Sequence, residues 1–353
     1  MLSTDQITRI AVLTALAGAY LAPAQASNLT ITPTFDSSIT SLADASTVEA
    51  AINQDISNIE SDITANNPVS VSILFQGTSS GLGSSLTQEG YLNYSTYRAD
   101  LQANPNKSTI VNTALATLPT GSNTGINNAT QVVLTAANFA AIGETSAANY
   151  LVSLNGGFNS TVSLNFSQLN DTRPDANSSL YDLQAVALHE IDEVLGIGGS
   201  GSELYQSGPT APSSLPTSIG ALDLYRYSAN GVRSFTYSSS ATAYFSVDGG
   251  KTNLVNFNQQ GANGADFGDW GNPNGTRNGN NPPQLQDAFG TPGAAINLGA
   301  NELTALNAVG WNLTPNGLAA AGLSTSVPVP SAAWLMFSGL FGLLGLSRRK
   351  AAS

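Results

Sequence analysis

The segment Leu180–Leu195 constrains this chain more than any other, because its apolar residues recur at helical spacing and it carries the only histidine. Leu183, Ala187, Ile191, Val194 and Leu195 form one apolar face, while Asp182, Val186, His189, Glu193 and Gly196 form a second stripe. Residues four apart lie one turn apart on the same helix face. His189 and Glu193 can therefore grip one cation, and Glu190, beside His189, is placed to serve as a general base. If the stripe is buried, its polar groups are costly unless paired or metal-bound. The plainer reading is an inert helix in which His189 is buried against Glu193 or Asp182. Gly196 is a usual helix stop.

There are no cysteines, so thiolate metal sites and disulfides are both excluded. A hydrolytic metal site needs about three protein ligands and an open position. The third ligand must then be an oxygen donor. Asp223, in the apolar stretch Ala221–Tyr225, is the first choice, with Glu203 and Asp192 behind it. A strand-edge ion pair with Arg226 or Arg233 is the plainer role for Asp223. One imidazole with two carboxylates suits zinc, with manganese or iron competing. The Gly- and Asn-rich stretch Gly261–Pro283 reads as a long solvated loop bearing Asp266 and Asp269. Calcium is a further candidate there, although the regular spacing of a calcium loop is missing.

Only 10% of the 353 residues are charged, against about 25% in an average soluble domain. The formal net charge of −12 excludes nucleic acid as a partner, because phosphates require Lys and Arg. This composition suits an extracellular, loop-rich protein. At the N-terminus, Arg9, the apolar run Ile10–Leu21 and Ala24-Gln25-Ala26 have the layout of a secretory signal peptide, giving a mature chain that begins near Ser27. At the other end, Val327-Pro328-Val329-Pro330 precedes the apolar run Ala332–Leu346 and the basic Arg348-Arg349-Lys350. That run is shorter than the roughly 20 residues of a comfortable membrane span, and two readings compete, a short membrane anchor and a buried terminal helix; its uninterrupted apolarity and basic end favour the anchor.

Between these ends, periodicity predicts a strand at Leu29–Thr34, a helix at Ser46–Ile63 and a strand at Val69–Phe75. Helices follow at Tyr94–Leu101 and Ser108–Leu118, then a strand at Ser160–Phe166 and the helix at Leu180–Leu195. After Gly198 the chain turns rich in Ser, Gly, Pro and Asn, with short strands at Leu222–Tyr227, Ser234–Tyr237 and Ala243–Val247 and a closing helix at Asn301–Val309. The expected class is α+β. The expected organisation is a signal peptide over 1–26, one domain over 27–315, a linker over 316–326 and a sorting segment over 327–353.

The C-terminal tail resembles the PEP-CTERM sorting signal of Gram-negative bacteria, with Val329 where that signal has Glu. The resemblance implies export, recognition by an exosortase, anchoring in the inner membrane and release to the surface or matrix. His189-Glu190-Ile191-Asp192-Glu193 resembles the His-Glu-x-x-His helix of zincin and metzincin metalloproteases. It departs at Glu193, where the second His belongs, and at Gly199, where the third ligand belongs. The longer stretch is similar to a family of secreted metalloproteases with such tails. That similarity rests on His189–Gly196, Leu222–Ser228, Asp248-Gly249-Gly250 and Asp266-Phe267-Gly268-Asp269-Trp270. It implies a zincin-like mixed sheet with an active-site helix, an irregular C-terminal lobe and a C-terminal transmembrane helix. The function it implies is a surface- or matrix-associated peptidase acting on protein or peptide substrates, with Glu190 as base and His189, Glu193 and Asp223 as ligands. The alternative is a non-catalytic surface or matrix protein on a degenerate zincin-like scaffold.

Overall fold

The computed structural model describes residues 27–174, 177–205, 210–261, 265–271 and 280–323. Strands β1 (Leu29–Phe35) and β2 (Val69–Gly77) alternate as their sequences require: Leu29, Ile31, Val69, Val71, Ile73 and Phe75 point into the core, and Thr30, Thr32 and Ser70 face water. Between them runs helix α1 (Ala45–Asp62), which buries Val48, Ile52, Ile56 and Ile59 on one stripe. Each such side chain contributes about 1.5–3 kcal/mol by leaving water. Strand β3 (Gly83–Thr87) and strand β6 (Ser160–Leu164) complete a four-stranded mixed sheet. In it β1, β2 and β6 run parallel and β3 runs antiparallel at the edge, in the order β1-β2-β6-β3. Strand β4 (Glu89–Asn93) pairs antiparallel with β5 (Gln131–Thr135) in a second sheet, to which Ile219–Gly220 adds in parallel. The helices Tyr94–Ala103 and Thr109–Thr117 lie between those two strands, the second capped by Ser108.

Helix α2 (Leu183–Val194) packs on α1 and on the edge strand β3. It is shorter than its periodicity predicts, because Tyr181–Asp182 pairs with Leu169–Asn170 instead of coiling. Asp182 becomes the cap: its carboxylate accepts from Ala185 N at 2.8 Å and pairs with Arg173 at 2.7 Å. A cap that satisfies an orphan N–H is worth about 1 kcal/mol. This also takes Asp182 away from His189. Gly196 then turns the chain with φ +97°, close against Asn138.

The C-terminal half is less regular. A 3-10 turn at Leu222–Tyr225 precedes strand β7 (Arg226–Ala229), which pairs antiparallel with β8 (Tyr244–Phe245), itself paired with β9 (Val255–Asn256). The single strand expected over Leu222–Tyr227 is therefore split, and Ser234–Tyr237 forms no strand. Helix α3 (Ala300–Val309) is nearly all buried, and Trp311 Nε1 donates to Leu195 O at the end of α2. Leu313 pairs with Ile63, and Pro315–Ala320 is a short helix against α1, so the body of the domain continues past residue 315.

The architecture is α+β with several sheets and one continuous core. The expected C-terminal transmembrane helix requires correction. No helix among the described residues is long and apolar enough to cross a membrane, and the run Ala332–Leu346 lies outside them. Such a span needs about 20 apolar residues. The signal-peptide and sorting segments, 1–26 and 327–353, also lie outside the described residues.

Candidate metal centre

Helix α2 places His189, Glu190 and Glu193 on the floor of a cleft of about 750 Å³. The edge strand β3 forms one wall, and the segments around Asp266–Asp269 and Gln284–Leu285 form the other. His189 is partly exposed to the cleft, whereas Glu190 and Glu193 are buried. The geometry unites His189 and Glu193 with Asp269: one ligand atom from each lies within 4.8 Å of the others. His189 Nε2 is 3.9 Å from Glu193 Oε1 and 3.8 Å from Asp269 Oδ2.

Each of these side chains is held from behind. His189 Nδ1 lies 3.1 Å from the Leu285 carbonyl oxygen. A carbonyl only accepts, so the neutral ring carries its hydrogen on Nδ1 and presents the Nε2 lone pair to the cluster. Metal-ligating histidines are oriented in this way. Glu193 accepts from Ser85 Oγ at 2.7 Å and from Gly199 N at 3.0 Å. Asp269 accepts from Gln286 Nε2 at 3.0 Å through Oδ1. Its segment is pinned by Asn258, whose N–H donates to Asp269 O and whose Nδ2 donates to Asp266 O, both at 2.8 Å. Arg226 adds a further clamp by donating to Phe267 O at 2.6 Å.

The expectation of a solvated loop is overturned at Asp269, which is 3% exposed beside Trp270 at 1%, while Asp266 is half-buried. Phe257 and Trp270 pair as an isolated bridge, and Trp270 Nε1 donates to Glu302 Oε1 at 2.9 Å. The aromatic anchor thus draws the acidic segment inward.

Asp223 does not join the cluster. Its carboxylate is filled by Ser202 Oγ at 2.7 Å, Glu203 N at 2.9 Å and Gly220 N at 2.9 Å. It ties two loops together, which explains its burial in an apolar segment. Arg226 and Arg233 form no ion pair with it among the described residues. Glu203 accepts from Ser218 Oγ. Asp192 is fully buried, with both carboxylate oxygens unpartnered among the described residues, and burial followed by the nearby Glu302 raises its pKa.

The electrostatics favour a cation. Glu190, Glu193, Asp266 and Asp269 crowd together, and among the described residues their only basic partner is His189. Burial, then Glu193 and Asp269, push the Glu190 carboxyl well above its ordinary range. Burial, then Asp266 and Glu193, do the same to Asp269. Burial and Glu193 raise Asp266 to about 7. Buried like charges must share protons or bind an opposing charge. Glu190 Oε2 is itself buried without a partner among the described residues. One imidazole nitrogen, two carboxylate oxygens and no sulfur fit zinc, manganese or iron.

Asp269 is the member of the cluster that sequence discloses least. It lies far along the chain from α2, in a segment that composition alone marks as loop. One local signal was available: the pair Gly198-Gly199 directly after the helix. A Cβ at Gly199 would lie 2.7 Å from Glu193 Oε1 and 2.9 Å from Asp266 Oδ2. These glycines admit the acidic segment to the helix. Comparison with protein-family models, with curated proteins and with solved structures finds no match to this chain.

Proposed function

We propose that this chain is an exported metal-dependent peptidase acting on protein or peptide substrates. The observation that carries the reading is the convergence of His189, Glu193 and Asp269 beside the buried Glu190, at the bottom of an open cleft. A divalent ion held by those three residues would supply Lewis-acid polarisation of a scissile carbonyl and a lowered pKa for attacking water.

The rest of the chemistry belongs to the chain. Glu190 takes the proton released as water attacks and passes it to the leaving amine nitrogen. A carboxyl whose proton affinity is raised by burial suits that shuttle better than an exposed one. Ser85 and Gly199 hold Glu193 in place, and Leu285 O fixes the His189 tautomer. The cleft is lined along one side by Ser80–Ser85, which include the start of the edge strand β3. The layout of residues 1–26 supports the exported location.

The test compares wild-type protein with Glu190→Gln and His189→Ala. Metal analysis by mass spectrometry is expected to find a stoichiometric divalent ion in wild type and Glu190→Gln, and none in His189→Ala. Hydrolysis of an unstructured protein substrate is expected only from wild type. Absence of stoichiometric metal after reconstitution would sink the proposal and leave a non-catalytic surface protein.

A further inference from the structure

The Gln286 side chain is fully buried and sits against the cluster. Its Nε2 is 3.1 Å from His189 Nε2 and 3.0 Å from Asp269 Oδ1. Its Oε1 is buried and has no hydrogen-bond partner among the described residues. The backbone on either side is fixed: Gln286 N donates to Glu302 Oε1 at 3.2 Å, and Gln286 O accepts from Trp270 N at 2.8 Å. Gly198 makes room for the amide. A Cβ there would lie 2.2 Å from Gln286 Nε2, at a φ of +60° that already favours glycine.

In this arrangement the lone pair of His189 Nε2 accepts from the Gln286 amide, which stands where positive charge is wanted. A half-turn about the terminal side-chain bond exchanges the amide's nitrogen and oxygen, two ends of nearly equal size. It would set an oxygen 3.1 Å from His189 Nε2, the separation the nitrogen has now. Adjacent donors in an octahedral shell with bonds near 2.1 Å lie ~3.0 Å apart. Around tetrahedral zinc the spacing is ~3.4 Å. The turn gives up both hydrogen bonds that Nε2 now donates and sets an oxygen against two lone pairs, so it is made only when a cation lies between them.

We propose that Gln286 is a fourth donor of this centre, through Oε1, and that the added amide oxygen biases the site toward oxygen-preferring ions such as Mn²⁺ over Zn²⁺. The proposal rests on the metal-centre reading above and adds to it a ligand and a selectivity.

Calorimetric titration of metal-free protein with Mn²⁺, and separately with Zn²⁺, tests it. The proteins are wild type, Gln286→Leu, Gln286→Glu and His189→Ala, each checked for folding by its thermal transition. Groups that merely support metal ligands are worth 10–100-fold in affinity. Loss of a ligand in Gln286→Leu should therefore weaken Mn²⁺ binding at least tenfold and lower the Mn²⁺ to Zn²⁺ affinity ratio. Gln286→Glu, which keeps the shape and supplies oxygen only, should bind Mn²⁺ at least as tightly as wild type. Unchanged or tighter Mn²⁺ binding by Gln286→Leu would overturn the proposal while leaving the three-residue centre intact, as would weakened binding by Gln286→Glu should Gln286→Leu not fold. A wild-type protein that binds neither ion would remove the centre itself, and this proposal with it.

Discussion

Asp55 offers a sharp test of how helix α1 holds the site helix. It is fully buried on α1, and its Oδ1 accepts from Gln184 Nε2 of α2 at 2.8 Å, while Oδ2 has no partner among the described residues. Burial is the main cause that raises its pKa from 3.8 to about 8, partly offset by the Gln184 hydrogen bond and by Arg173. Between those two values the folded protein holds a proton that the unfolded chain has released. Stability therefore falls as pH rises across that window, by up to about 1.4 kcal/mol per pH unit. Asp55→Asn keeps the shape and an acceptor for Gln184 but cannot ionise. Near pH 4 the two proteins should be of similar stability. By pH 8 the variant should be the more stable by roughly 3–5 kcal/mol, somewhat less than the full linkage because the site can relax. Urea unfolding at intervals from pH 4.5 to 8 measures this difference. Other buried carboxyls titrate alike in both proteins and cancel. Parallel curves for the two proteins would refute the assignment of a neutral carboxyl at this helix contact.

Asp269→Asn and Asp223→Asn should separate cleanly. The first is expected to weaken divalent-ion binding at least tenfold with little loss of stability. The second should leave ion binding within about twofold but cost about 1–3 kcal/mol, because an amide nitrogen cannot accept from the donors that Asp223 now satisfies. Gly198→Ala combines the left-handed backbone penalty, about 1–2 kcal/mol, with a clash against Gln286 Nε2 at 2.2 Å. A total loss of about 2–4 kcal/mol in chemical unfolding is expected, together with displaced ion binding. Mn²⁺ at a hundred times its dissociation constant should raise the unfolding free energy of wild type by about 2.7 kcal/mol. The same addition should leave His189→Ala unmoved.

The parts of this molecule that sequence makes legible are those governed by local periodicity. The strands Leu29–Phe35 and Val69–Gly77 announce themselves by alternation, and α1 and α2 by helical stripes. His189, Glu190 and Glu193 are readable because one helix turn sets their spacing. Strands β3 and β4 are not, since Gly83–Thr87 and Glu89–Asn93 carry Ser, Gly and Glu at the sheet edges and lack a strong apolar alternation. Asp223 misleads because an acid in an apolar segment looks the same whether it binds a cation or three loop donors. Asp269 and Gln286 are hidden because tertiary anchors decide their burial: Trp270 on Glu302, and Arg226 on Phe267 O. None of these contacts leaves a periodic trace.

The glycine at position 199 follows from the same anchors. A Cβ at position 199 would lie 2.7 Å from Glu193 Oε1 and 2.9 Å from Asp266 Oδ2, so any side chain there would displace both carboxylates. The chain has the acidic segment, and the Gly199 N–H instead orients Glu193. Exchanging two neutral imidazoles for two carboxylates lowers the charge of a divalent centre by two, which makes it nearly neutral and easier to bury. The same exchange weakens the ion as a Lewis acid, since anionic donors already satisfy much of its charge. A weaker acid needs a stronger base beside it. In the proposed centre Glu190 meets that need, because burial, the largest cause, raises its proton affinity. The nearly neutral charge of the proposed centre and the buried base beside it thus follow from one cluster of carboxylates packed under Gly199.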